Sequence, residues 1–522
     1  MQPTSMPRSR RTQLAAATDP ITEAGRPATS SGRLRSAVRG HSGPGGRRAV
    51  RPRMARDLDH GVAPLRQEAA DLADAATRSV SAQQTGGRTR CKGKQGREGK
   101  GKSAVRILIA AVGSRGDVAP LTGLGTALRG AGHDVTVAAF GMFEELVTGS
   151  GLAFRLVPGD PRLLQASQQG QRWQEHGTGP ASAIRFTRLV SGLMRDVNAG
   201  ILQAARQGTD VLLAAGMAWF GGYRIAQALG LPSIGLALQP THPTSQFPPP
   251  GMMTRSLGRW GNRALASALM TAGAGALDRP SKPLWAQEGM PGGVGGLYRR
   301  QEATRWPFLY GYSPSVVPRP SDWREGIEVA GYWWPRHLAN WTPPADLERF
   351  LAAGPPPVFV GFGSRNPADA VRLTAIVAAA RRQAGVRMVV QAGWAGLGAE
   401  LRDDDDVVVI GEAPHDWLFP KMAAVVHHAG AGTTAAGLRL GVPTVGVPMI
   451  TDQPFWASRV TALGVGPKAV PYKSLSAQSL GAAIHDAVTC GSYRSRAREV
   501  AAQLAGEDGT LPVIRALDRL TA

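Results

Sequence analysis

The run His427-His428-Ala429-Gly430-Ala431-Gly432-Thr433-Thr434 has the make-up of an anion-binding corner. Two glycines let the backbone approach a ligand closely, and the hydroxyls of Thr433 and Thr434 can donate hydrogen bonds. A helix starting just after them would turn its free N–H groups and positive end toward a phosphate. A pyrophosphate suits such a corner, and so does an ordinary strand-to-helix turn in which Thr433 only caps the helix. Further on, Asp452-Gln453-Pro454 offers a carboxylate that accepts and an amide that both accepts and donates, a pairing suited to sugar hydroxyls. Asp452 and Pro454 would equally serve as cap and first-turn residue of a helix. A third stretch, Gly113-Ser114-Arg115-Gly116-Asp117-Val118-Ala119-Pro120, presents Asp117 either as a proton acceptor or as a helix cap. His427 and His428 do not suggest a metal site. Neighbours in an extended segment face opposite ways, no carboxylate or cysteine stands at ligand spacing, and His427 reads as a packed core histidine.

These stretches need strands and helices to hold them. Val105 to Val112 is a nearly continuous apolar run, as in a strand buried on both faces of a parallel sheet, and it ends at Gly113. Leu121, Leu124 and Leu128 follow at helical spacing, Gly130 to Gly132 closes that helix, and Asp134 to Ala139 completes a βαβ unit. The alternation recurs with strands at Val211 to Ala215 and Ser233 to Leu238 around a helix from Gly222 to Leu229. After a Pro- and Trp-rich approach from Pro314 onward, a second set begins. Strands are expected from Pro357 to Gly361 and at Met388 to Gln391, Val407 to Ile410 and Ala424 to His428, with helices at Ala370 to Gln383 and Ala435 to Leu440. Gly441 to Pro448 reads as a further buried strand that delivers Asp452 to the same edge. Two doubly wound domains each open sites at the carboxyl ends of their strands, which places a cleft between the halves. The expected division is a tail over 1–103, an N-terminal domain over 104–335, a linker over 336–356 and a C-terminal domain over 357–522, with the last helix a candidate to return to the N-terminal domain.

The 522 residues carry a net charge of +22, which by itself would suggest nucleic acid or an anionic membrane. Residues 1 to 103 hold 21 Lys and Arg against 8 Asp and Glu, so more than half of the excess lies in one-fifth of the chain. That stretch has few large apolar residues to offset chain entropy and reads as a disordered basic tail. The remainder is only mildly basic, and no nucleic-acid partner is expected. Cys91 and Cys490 are too few for a disulfide framework or a Cys-rich zinc site, and no apolar run is long enough to span a bilayer. The expected setting is the cytoplasm, with peripheral membrane contact as an option.

Taken in order, Gly113 to Pro120, Gly361-Phe362-Gly363-Ser364, His427 to Pro443 and Asp452 to Trp456 resemble the signature of nucleotide-sugar-dependent glycosyltransferases of the GT-B fold. The likeness is to sterol 3β-glucosyltransferases and to bacterial enzymes that glycosylate lipids and macrocyclic antibiotics, and it covers Val105 to the C-terminus. It implies inverting transfer of a hexose, glucose first, from a UDP- or dTDP-sugar to a hydroxyl of an apolar acceptor such as a sterol, hopanoid or polyketide. No cofactor beyond that co-substrate is implied. His428, Gly430, Gly432, Thr433 and Thr434 would hold the diphosphate with Ser364 closing on it, Asp452 and Gln453 would grip the hexose, His415 would line the nucleoside, and Asp117 would be the base. Two departures stand out. Glu412 replaces the tryptophan that stacks on uracil in plant members, and Ala429 replaces a glycine, which is tolerable only if its backbone avoids the left-handed region. The Pro240 to Met253 segment, with Phe247, Met252 and Met253, is the expected acceptor surface or else a plain loop. Trp173, Phe186 and Met194 fit core or pocket equally. Two rivals remain: a GT-B-fold epimerase acting on the nucleotide sugar itself, and a basic anionic-surface or polymer binder with a vestigial catalytic fold.

Overall fold

A computed structural model describes residues 104–160, 162, 167, 170, 179–290, 296–335, 341–363, 370–393, 396–398, 401 and 404–522. The expected tail over 1–103 lies outside the described residues, as do Trp173 and Ser364.

Seven strands form the first sheet: β1 Arg106–Val112, β2 Asp134–Phe140, β3 Ala153–Val157, β4 Val211–Gly216, β5 Ser233–Ala237, β6 Phe308–Tyr310 and β7 Ile327–Val329. All pair in parallel in the order β3-β2-β1-β4-β5-β6-β7. The second sheet contains β8 Val358–Gly361, β9 Met388–Gln391, β10 Val407–Ile410, β11 Ala424–His427 and β12 Thr444–Gly446, again all parallel, in the order β10-β9-β8-β11-β12. In each sheet the order reverses beside the first strand, between β1 and β4 and between β8 and β11. Loops leaving a parallel sheet at such a reversal diverge and leave a crevice. Gly113 to Asp117 leaves β1, Gly363 lies just past β8, and His428 to Gly430 leaves β11, so the sequence motifs fall at these points.

The strands are buried because helices cover both faces. Ile107 through Val112 and Val211 through Leu213 pack with Val118, Leu121, Leu124 and Leu128 of the helix Arg115–Gly130. The expected linker is in part structured. Its helix Ala345–Ala352 buries Leu347 against Phe359 and Val389, so a short amphipathic stretch there has the second sheet to pack on. At the other end, the helix Leu511–Thr521 places Val513, Ala516 and Leu517 in the core of the first sheet, and Trp333 Nε1 donates to Gly509 O at 2.8 Å just before it. Between the halves, Trp219, Tyr310, Tyr312 and Trp323 pack in one apolar cluster with Leu438, Trp456, Val460 and Leu504.

Candidate functional site

Asp117 occupies the third position of its helix and closes a capping box with Ser114. Its Oδ2 accepts from Ser114 N at 2.7 Å and from Ser114 Oγ at 2.9 Å, which satisfies two donors at the helix start. Oδ1 makes no hydrogen bond among the described residues. Burial raises the carboxyl above its ordinary range, and the two Ser114 bonds oppose that rise without cancelling it. The cap and proton-acceptor roles are therefore compatible, one oxygen for each. Pro120 is an interior residue of the helix, since the helix begins at Arg115.

The corner after β11 differs from expectation in where its helix begins. The helix is Ala431–Arg439 with Gly430 as N-cap, so the run Ala431 to Thr434 is the first helical turn rather than a loop before it. The amides of Ala431, Gly432 and Thr433 make no backbone bond there, and Thr434 N is the first to pair, with Gly430 O at 2.9 Å. Gly432 is exposed, and Gly430 and Thr433 are half-buried, so this end of the helix faces solvent. Thr434 is fully buried and so does not reach a ligand surface; its Oγ1 lacks a partner among the described residues. The His428 ring lies over the same end, so close that a Cβ at Gly430 would clash with its Nε2 and one at Gly363 would crowd its Cε1. His427 is the buried core histidine expected, and its Nδ1 accepts from Ala429 N at 2.9 Å.

Ala429 overturns a condition set by the sequence. Its φ is +60°, in the left-handed region, and its methyl is fully buried. The bond from its N–H to His427 and the packing around it hold a conformation that costs about 1 kcal/mol for an L side chain. Thr451, with φ +49°, is strained in the same sense beside Asp452. Non-glycine residues held in this region concentrate where the backbone is shaped for a ligand.

Asp452 sits at the N-cap position of the helix Gln453–Ala462, and its carbonyl accepts from Phe455 N and Trp456 N, but its side chain bonds no helix amide. Its Oδ2 accepts from Trp456 Nε1 at 2.7 Å and its Oδ1 from Thr451 Oγ1 at 3.0 Å. Burial pushes its carboxyl up to about 6, and the Asp117 carboxylate adds to the rise, so these two acids from opposite halves lie within electrostatic reach. Gln453 Oε1 accepts from Met449 N at 2.9 Å and Ile450 N at 3.1 Å, which leaves its amide N–H groups as the part able to meet a ligand. His415 stacks on Phe419 at 4.4 Å between centroids, and burial lowers its pKa to about 4, so it is neutral at ordinary pH.

Other contacts draw the halves together here. Arg115 Nη1 meets Glu412 Oε2 at 3.1 Å, which gives the departure at 412 a partner in the first loop. Phe247 packs on Phe455 with centroids 5.3 Å apart, and Gly251, with φ +82°, runs against the Thr451 backbone. Met252 and Met253 are half-buried in the same segment. Met194 is core, and Phe186 packs on that core. The sequence reading missed Trp456 and Thr451 as partners of Asp452 and Arg115 as the partner of Glu412. Only Trp456, four residues after Asp452 on one helix, carried a local signal. Among the described residues no group of three or more His, Cys, Asp or Glu could hold a metal ion.

Comparison with known proteins bears directly on this arrangement. Sterol 3-beta-glucosyltransferase UGT80A2 of Arabidopsis thaliana is 32% identical over 429 residues, 79% of this chain and 65% of the relative. The Candida albicans sterol 3-beta-glucosyltransferase is 31% identical over 80% of this chain and 28% of its own length. The chain is a homologue of the sterol 3-beta-glucosyltransferases. It spans about two thirds of the plant relative and under a third of the fungal one. Residues 395–520 match the family "Erythromycin biosynthesis protein CIII-like, C-terminal domain". The crystal structure of the Streptomyces sp. SF2575 glycosyltransferase SsfS6, complexed with thymidine diphosphate, aligns with 80% of this chain and 99% of its own at a TM-score of 0.52 and 24% identity. That likeness establishes the GT-B architecture of the two sheets.

Proposed function

We propose that this sterol glucosyltransferase homologue transfers a hexose, glucose first among candidates, from a UDP- or dTDP-sugar to the hydroxyl of an apolar, lipid-like alcohol with inversion. The observation that carries the reading is a helix start with three free amides on Ala431–Arg439, a helix that packs against Arg115–Gly130 of the other half, where Asp117 sits in the first turn. The diphosphate lies at the start of the helix Ala431–Arg439, where the amides of Ala431, Gly432 and Thr433 and the helix dipole meet its charge, with His428 flanking it. Asp452 accepts from hexose hydroxyls and the Gln453 amide donates to them. Asp117 Oδ1 takes the proton from the acceptor hydroxyl as its oxygen bonds to the anomeric carbon. The bond from that carbon to the diphosphate breaks on the opposite face, and the helix amides stabilise the departing charge.

The acceptor enters along Phe247 and Gly251 to Met253, next to Thr451. An apolar alcohol matches that lining, and the names of the curated relatives support it. The site requires no metal for these steps, since positive potential comes from backbone amides.

Incubation of the purified protein with UDP- and dTDP-hexoses and a panel of sterol, hopanoid and polyketide alcohols, followed by mass spectrometry, should yield an alcohol one hexose heavier. An epimerase would instead return an altered sugar nucleotide and leave every alcohol untouched. Asp117→Asn should lower transfer by about 10² to 10⁴ while nucleotide binding persists. Unchanged turnover would remove Asp117 from the mechanism.

A further inference from the structure

The segment entering the helix Gly258–Asp278 breaks the rule that large apolar side chains find cover. Trp260 is 90% exposed and Leu257 52% exposed. Arg255 and Arg259, also exposed, alternate with them and make no ion pair among the described residues. No Asp or Glu occurs between Asp210 and Asp278, so this stretch brings no negative charge of its own. Arg263, one turn further, is the exception to the free cations, because Asp322 from another element pairs with it at 2.9 Å.

The protrusion is held in place. Buried Asn262 accepts from Leu257 N at 2.9 Å and donates to Ser256 Oγ at 3.0 Å, and its Nδ2 also reaches Ser245 O at 3.4 Å. Asp322 in turn accepts from Thr244 Oγ1 and Ser245 N, both at 2.7 Å, as well as from Arg263. One set of bonds therefore fixes Leu257 and Trp260 to the same loop that carries Phe247 and runs through Gly251 to the site.

We propose that Arg255 to Trp260 is a docking surface for an anionic lipid bilayer. An indole with an apolar body and a polar N–H is favoured at the level of lipid headgroups, Leu257 supplies apolar depth, and the two free guanidiniums match phosphate charge. The proposal gives the apolar-acceptor reading a route. An alcohol resident in the leaflet would pass from the bilayer along Met252 and Met253 to Asp117 without crossing water. It rests on that reading for its purpose only, because docking is measured with no sugar donor present.

The test uses the full chain with vesicles of phosphatidylcholine, alone or doped with phosphatidylglycerol, at physiological salt, with every variant keeping the same N-terminal residues so that their contribution cancels in the comparison. Binding to doped vesicles should fall about tenfold or more in the double variant Leu257→Ala/Trp260→Ala, with unchanged melting. Arg255→Gln and Arg259→Gln should each weaken it about fivefold, on doped vesicles only. Brominated lipid should quench wild-type tryptophan fluorescence and quench Trp260→Phe measurably less. Transfer to a vesicle-embedded alcohol should drop in the double variant while transfer to the same alcohol in detergent does not. Equal binding by the double variant, equal quenching in Trp260→Phe, or no vesicle binding by the wild type, as a protein-docking surface would give, overturns the proposal.

Discussion

At position 113 any side chain would occupy the volume into which the Asp117 carboxylate folds back on Ser114. Gly113→Ala should therefore leave the fold standing, displace the carboxylate, and cut transfer by up to about a hundredfold, read as a loss in kcat with little change in nucleotide affinity. Asp452 offers a second test through pH. Its unfolded counterpart titrates at about 3.9, whereas burial raises the folded carboxyl to about 6, so the native state holds the proton more tightly between those values. The resulting stability is fully present below about pH 4 and is lost as pH rises through 6. Asp452→Asn should flatten that slope, which amounts to at most about 3 kcal/mol, in denaturant titrations across the window. If the ionised form grips the hexose, wild-type kcat/KM rises over the same range. Neither acid could be ranked from its spelling alone. The sequence presents each as cap or functional group; in the structure Asp117 caps with Oδ2 and keeps Oδ1 free, whereas the Asp452 side chain caps nothing and bonds Thr451 and Trp456 instead.

Among the elements, the strands were the most legible. β9 and β10 fall on the expected residues because short buried strands are continuous apolar runs bounded by turn residues. The helix Ala431–Arg439 was not legible at its start, since Gly432, Thr433 and Thr434 are weak helix formers, and here burial of Ala435 and Leu438 in the cluster between the halves overrides propensity. Nothing local announces that Ala429 must take a positive φ. The helix Arg115–Gly130 is placed by a contact distant in sequence. Gly123 abuts the Trp334 backbone, where a Cβ would collide with the carbonyl. Gly123→Ala should lift that helix, lower stability by about 1 to 3 kcal/mol in chemical unfolding, and slow transfer by shifting Asp117 at its start.

At the scale of the molecule, the two halves share the aromatic cluster around Tyr312 and Trp456, and Arg459 donates to Val316 O at 2.9 Å across the same seam. Ser313 and Ser315 both donate to Glu507 at 2.7 Å nearby. A seam this apolar restrains the free swinging expected of two domains joined only by a linker. Periodicity could give the paired architecture, but not this seam or the Arg115–Glu412 bridge, because neither leaves a local pattern. The helix Leu511–Thr521 tightens the arrangement further, as its buried stripe belongs to the first sheet. Leu517→Ala should lower the stability of the first half by about 2 to 4 kcal/mol, seen as an earlier melting transition.

That same helix sets an order of events during synthesis. The strands of the first sheet emerge from the ribosome long before Val513, Ala516 and Leu517 do, yet their core is filled only when those three side chains arrive. The nascent first half must wait, with apolar surface uncovered, through translation of the entire second half. Chaperone demand should accordingly peak late in elongation and fall as residue 517 clears the exit tunnel.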